Sequence, residues 1–224
     1  EQVAAARRIV DAFQAADRRG LGALRVGDGG SPMALALQGG FAADRMAWAF
    51  AAGYQAALRA LLPGCGPDEL LALCLTETTG NRPRDLHCSA TAQPDGSWLL
   101  QGEKSWATFG TAATTLLVIA RQGGPVDPAA THPRLLALRV PADASGVQVD
   151  GQPATGLVPE LPHARLVLAD VKLPAAARLA GDGFSDYGKP FRTLEDLYVG
   201  AAVLAWLQRY PAPPGLPADL QGEV

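Results

Sequence analysis

The chain has 224 residues, 48% apolar and 18% charged, with 25 Gly and 18 Pro, a balance that fits a compact, turn-rich fold and excludes a disordered chain. Its 19 Lys and Arg against 22 Asp and Glu leave a net charge of −3 and no basic run to cover a row of phosphates, which argues against nucleic acid or an anionic membrane surface as partner. Apolar stretches are broken by Arg, Asp or Gly before they reach the length of a bilayer span, and no secretory leader is visible after Glu1. Cys65, Cys74 and Cys88 are widely spaced, as reduced thiols of a cytoplasmic protein would be, and His87, His132 and His163 show no metal-ligand spacing, so no metal site is expected.

Residues 1–18 carry Val3, Ala6, Ile9, Val10, Phe13 and Ala16 at helical spacing. Residues 27–30 are Gly-Asp-Gly-Gly and break the chain, after which Ser31 and Pro32 fit an N-cap and a first helical position. A second interruption is expected at Gly39-Gly40, and then an Ala-rich helix over 44–62, apolar around much of its circumference and therefore buried, stopped by Pro63-Gly64.

From Leu70 the period becomes strand-like: 71–75 is a short apolar run, and strands at 87–93 and 97–104 flank the turn tripeptide Pro94-Asp95-Gly96. Further strands are expected at 115–121, 134–140 and 165–168, with a surface loop at 122–133. The strands end at Pro174, a helix follows over 190–208, and the prolines from Pro211 stop it. Helices, then strands, then a helix predict an α+β chain. The expected organisation is an N-terminal helical domain over 1–69, a middle antiparallel β-barrel or sandwich over 70–182, and the start of a C-terminal helical domain over 183–224.

Three collinear segments resemble the acyl-CoA dehydrogenase family. Leu73-Cys74-Leu75-Thr76-Glu77 is similar to the end of the first strand of that family's middle domain. Ala90-Thr91-Ala92 followed by Gly96-Ser97-Trp98-Leu99-Leu100-Gln101-Gly102-Glu103-Lys104-Ser105-Trp106-Ala107-Thr108 resembles its hairpin, with Gly-x-Lys and then an aromatic-x-Ser/Thr. Ala169-Asp170-Val171-Lys172-Leu173-Pro174 is close to its Asp-Val-x-Val-Pro exit from the β domain, and 181–208 resembles the lead-in and first helix of its C-terminal domain, the one helix of that bundle recognisable here.

The resemblance implies an FAD-dependent oxidoreductase that acts on an acyl-CoA or similar thioester in fatty acid metabolism, an electron-accepting flavoprotein as partner, and a homo-oligomer. It places groups around Leu73, Leu75 and Thr76 against the pyrimidine side of the flavin, Trp106 beside the isoalloxazine ring and Thr108 as a hydrogen-bond donor towards its N5. A flat redox ring needs such an apolar wall and a few fixed polar groups. In the family a Glu removes the α proton of the thioester while the β hydrogen leaves as hydride to N5. Leu194-Glu195-Asp196-Leu197 resembles the Leu-Glu-Arg-Leu of members that carry this base on the first C-terminal helix, so Glu195 is the candidate base.

Two departures stand beside the resemblance. The family's small Ala-Gly-Ser-Asp turn is replaced by residues 78–85, Thr-Thr-Gly-Asn-Arg-Pro-Arg-Asp, in which Gly80 preserves part of the close approach to a phosphate, and Arg82 and Arg84 are either phosphate ligands or surface residues. Asp196 stands where the base motif has Arg. These departures leave two alternatives: a non-catalytic relative kept for binding or assembly, and a flavoprotein with different chemistry such as oxygen-dependent hydroxylation.

Overall fold

The computed structural model describes residues 31–124, 133–153 and 158–209, so the helix expected at 1–18, the glycine break at 27–30, residues 125–132 of the surface loop and the proline-rich segment from 211 lie outside the described residues. In chain order the elements are α1 (Pro32–Ala42), α2 (Met46–Leu61), β1 (Leu71–Cys74), β2 (Ser89–Ala92), β3 (Trp98–Thr108), β4 (Thr115–Gln122), β5 (Leu135–Pro141), β6 (Val147–Gly151), β7 (His163–Leu173) and α3 (Lys189–Leu207). The α+β class, with helices before and after the strands, is as the sequence predicts, and the strands form one seven-stranded sheet.

Ser31 caps α1 as expected, its Oγ accepting from the Ala34 N–H at 3.2 Å, with Pro32 in the first turn. The break expected at Gly39-Gly40 does not occur: α1 runs through both glycines to Ala42. The reason is packing. A Cβ at Gly40 would lie 2.1 Å from the Ala202 carbonyl oxygen, and one at Gly53 would lie 2.5 Å from the Val199 Cα. Both glycines let α3 approach the backbones of α1 and α2, which outweighs their poor helix propensity.

The sheet runs β1-β4-β2-β3-β7-β6, with β5 on the other side of β4. One edge of β4 is shared end to end by two parallel strands, Leu71–Cys74 of β1 opposite Thr115–Val118 and Ser89–Ala90 of β2 opposite Arg121–Gln122. The open edge of β1 is covered by α2. The Gln55 amide accepts from the Leu71 N–H at 3.0 Å and donates to its carbonyl at 2.9 Å, and the Leu73 N–H donates to the Tyr54 hydroxyl at 3.1 Å. Buried backbone groups thus find partners where a further strand is missing.

The turn 94–96 joins β2 and β3 as predicted, with Gly96 at φ +83°. β3 and β7 are each longer than the sequence suggests, and β6 is an added strand whose residues alternate weakly in burial. The core lies between β4, β5 and α2, built from Leu116–Ala120, Leu135–Leu138, Leu58 and Leu71–Leu75. A π-helical turn, Gly183–Gly188, leads into α3. Asp182 fixes it by accepting from the Phe184 and Ser185 N–H groups at 3.0 and 2.8 Å and from the Leu135 N–H of β5 at 3.4 Å.

Candidate functional site

Between β1 and β2 the chain leaves the sheet as an excursion over 75–88, and this segment is anchored from below by a buried ion pair. Lys104 of β3 is fully buried, and its Nζ donates to Glu77 Oε1 at 2.7 Å and to the Leu75 carbonyl at 3.3 Å. The Glu77 carboxylate also accepts from the His87 N–H at 2.7 Å and the Cys88 N–H at 3.1 Å. One carboxylate therefore ties both ends of the excursion to β3. Cys74 and Cys88 lie in the same dry region, and burial pushes their thiols up to about 12 and about 11.

The excursion returns towards β3 at Thr76, which forms an antiparallel bridge with Trp106 and accepts on its carbonyl from the Ser105 N–H at 2.9 Å. Between Lys104 and Ala107 the β3–β7 register slips, so that Ser105 and Trp106 stand against Arg165 alone. This bulge re-aims the indole. Trp106 is 40% exposed, with Thr108 two residues on and half-buried. Leu73 and Leu75 are buried beside the same strand end. Of the sequence-derived residues, Thr76 and Trp106 therefore meet across a bridge, Leu75 directly precedes Thr76, and Thr108 pairs with His163 further along β3. Gly80 sits at the tip of a tight turn closed by Glu77, and the space a side chain would occupy there is filled by Asp85. Arg82 is exposed, and exposed Arg84 has its Nε 3.7 Å from Asp85.

Glu195 lies nearly two turns into α3, and Gly188, just before that helix, packs close to the Leu75 side chain. Burial raises its carboxyl above the usual range, Asp196 adds to the shift and Arg192 opposes it. Burial also raises the Tyr54 phenol, with the Glu195 charge contributing. The same phenol holds the Leu73 backbone. Its ring stacks on Phe109 at 5.6 Å and meets the edge of Phe191 of α3 at 5.5 Å. Phe109, directly after Thr108, is buried at φ +67°, a conformation that costs a non-glycine residue about 1–2 kcal/mol and is held here by that aromatic cluster.

Tyr54, the Glu77–Lys104 pair and His163 were not singled out by sequence reasoning. Lys104 and Glu77 stood inside the quoted motifs, but a charged pair 27 residues apart gives no signal of burial. The described residues contain no group of three His, Cys, Asp or Glu able to hold a metal, and no helix long and apolar enough to cross a membrane.

The acyl-CoA dehydrogenase middle-domain family matches residues 72–171, which carry β1 to β6 and most of β7. No curated protein matches the chain. Among solved structures the chain is similar to an FAD-dependent dehydrogenase (17% identity, 93% of this chain and 65% of that one, TM-score 0.69). It is also similar to a butyryl-CoA dehydrogenase from Megasphaera elsdenii (21%, 85% and 56%, 0.61). A third similar structure is a dibenzothiophene monooxygenase from Paenibacillus sp. A11-2 (20%, 91% and 61%, 0.63). The chain spans less than two thirds of the length of each, and at these identities the likeness is one of fold.

Proposed function

Residues 72–171 belong to the acyl-CoA dehydrogenase middle-domain family, and from that premise we propose that the chain binds FAD and takes part in the α,β-dehydrogenation of an acyl thioester, with Glu195 as the general base. The observation that carries this reading is the bulge in β3, where Trp106 stands as a half-exposed flat wall whose backbone bridges to Thr76 at the start of the excursion. Such a wall, with the Thr76 backbone and the Thr108 hydroxyl at its margin, has the donor set a flavin needs: an apolar surface and a few fixed polar groups. When bound, the flavin supplies the acceptor for the hydride that leaves the β carbon.

The chain's own residues account for the rest. Glu195 takes the α proton; its upward shift by burial makes the carboxylate a stronger base than one in water. Tyr54, with the Phe109 and Phe191 rings against it and its hydroxyl on the Leu73 N–H, holds α3 against β1. The Glu77–Lys104 pair keeps the excursion at a fixed height against β3, so that Leu75 and Thr76 stay beside Trp106.

A second reading is that the flavin serves oxygen-dependent chemistry, favoured by the likeness to a monooxygenase. Two measurements decide. An absorbance spectrum through gel filtration with added FAD is expected to keep its flavin bands with the protein, and a colourless protein would refute both readings. With flavin bound, Glu195→Gln is expected to abolish bleaching by acyl-CoA and to leave flavin content unchanged. Bleaching that survives the substitution refutes Glu195 as base, and a wild-type protein that acyl-CoA never bleaches favours the second reading.

A further inference from the structure

Behind Trp106 lies a residue that the proposed reaction does not use. The His163 ring sits 4.5 Å from the Trp106 ring, tilted by 38°, at the first position of β7 opposite Thr108. Trp106 is 40% exposed and His163 only 6%, so the imidazole backs the indole while another part of the indole stays open. A hydrogen bond at 3.1 Å between His163 Nδ1 and the Leu161 carbonyl fixes the rotation of the imidazole. A carbonyl only accepts, so the neutral ring carries its proton on Nδ1. An aliphatic side chain would fill the same space without such a lock.

We propose that His163 is a positioning residue for the flavin site, holding the Trp106 indole at the angle at which it forms the wall against which the flavin packs. This rests on the FAD reading given above. Through Trp106 it acts on the cofactor by stacking, which orients the indole; only in acid, as an imidazolium, would it also withdraw electron density from that ring. The charged side chains on the strands around it, Glu103 of β3, Asp150 of β6 and Arg165 of β7, pair with one another. Its titration is set by burial, which holds it below the usual histidine range, and by the Leu161 carbonyl, which opposes that shift. His163 is therefore neutral at pH 7 and becomes charged only in acid.

The test uses His163→Phe, His163→Gln and His163→Ala in the full chain, with Trp106→Phe to assign the fluorescence. Without FAD, wild type is expected to lose Trp106 emission in acid, because a protonated imidazole quenches a touching indole, and His163→Phe to lose that step. With FAD, His163→Ala is expected to bind roughly tenfold more weakly and His163→Phe within about threefold of wild type, since Phe restores the stack. His163→Gln, which keeps a donor for Leu161 but not the ring, is expected to resemble His163→Ala, and it decides the matter if the alanine variant does not fold. FAD affinity equal in wild type, Gln and Ala variants, or an acid step that persists in His163→Phe, overturns the proposal alone. A wild-type protein that binds no FAD but shows the Trp106 step overturns it together with the proposed function, and so identifies which premise failed.

Discussion

Replacing Lys104 with Met tests how the excursion is held. The substitution keeps the length and most of the volume of the stem but removes the ammonium that lies 2.7 Å from Glu77, leaving a carboxylate that is 8% exposed with only two backbone N–H donors, those of His87 and Cys88. Breaking one side of a buried pair costs about 3–5 kcal/mol, because the remaining charge is neither solvated nor paired. For a chain of this size that corresponds to a fall in Tm of about 6–20 °C. The double variant Lys104→Met/Glu77→Gln removes both charges and is expected to lose less than the sum of the two single variants, with a coupling of about 2–3 kcal/mol. Urea unfolding of all four proteins gives the cycle, and amide exchange over 75–88 should quicken in Lys104→Met before the rest of the sheet does. A Lys104→Met variant within about 1 kcal/mol of wild type, or strict additivity in the double variant, would refute the argument that this pair anchors the excursion.

The remaining predictions are these. Gly40→Ala should destabilise by about 1–3 kcal/mol, because its Cβ would meet the Ala202 carbonyl oxygen at 2.1 Å, whereas Gly200→Ala in α3, with nothing within 4 Å, should stabilise by about 0.4–1 kcal/mol; urea midpoints check both. Native protein at pH 8 should react with a thiol reagent at Cys65 well before the buried Cys74 and Cys88, whose thiols lie at about 12 and about 11, and all three should react in denaturant. Because the folded state raises the Glu195 carboxyl, its contribution to stability is present below the unfolded value and is lost as pH rises through the folded one. Glu195→Gln should therefore gain on wild type in Tm at pH 7 relative to pH 4, and an unchanged difference between the two pH values would count against that shift.

The strands were legible where alternation or an apolar run met turn chemistry, as around Pro94-Asp95-Gly96, and the caps where a side chain makes a local bond, as at Ser31. What was not legible depended on partners distant in sequence. Gly39-Gly40 reads locally as a break, and only the backbone of Ala202 explains why the helix continues there. β6, with Val147 and Val149 half-buried and polar residues between, gives a weak signal because it sits on the sheet edge and owes its place to β7. Trp106 and Thr108 were singled out because a motif surrounds them, whereas His163 sits at a strand start where nothing in the local pattern distinguishes a histidine packed in the core from one set against a half-exposed indole. Tyr54 likewise looks like one more apolar position on α2 until its hydroxyl is seen to receive the Leu73 N–H.

The end-to-end sharing of one β4 edge by β1 and β2 has a consequence for exchange of parts. The strand positions where the excursion departs and returns are opposite Val118 and Arg121, three residues apart on one straight neighbour, so they are separated by about 10 Å whatever runs between them. Beyond the fixed points at its two ends, namely the Leu75 and Thr76 carbonyls, Glu77 and the buried Leu86, the sheet therefore places no demand on the length or composition of the intervening segment. A cassette cut between Thr78 and Leu86 can be replaced by a longer or shorter one without shifting a strand, and Asn81-Arg82-Pro83-Arg84 lies wholly inside it. Divergence in what approaches the site can thus accumulate in this cassette while the scaffold that carries Trp106 stays the same.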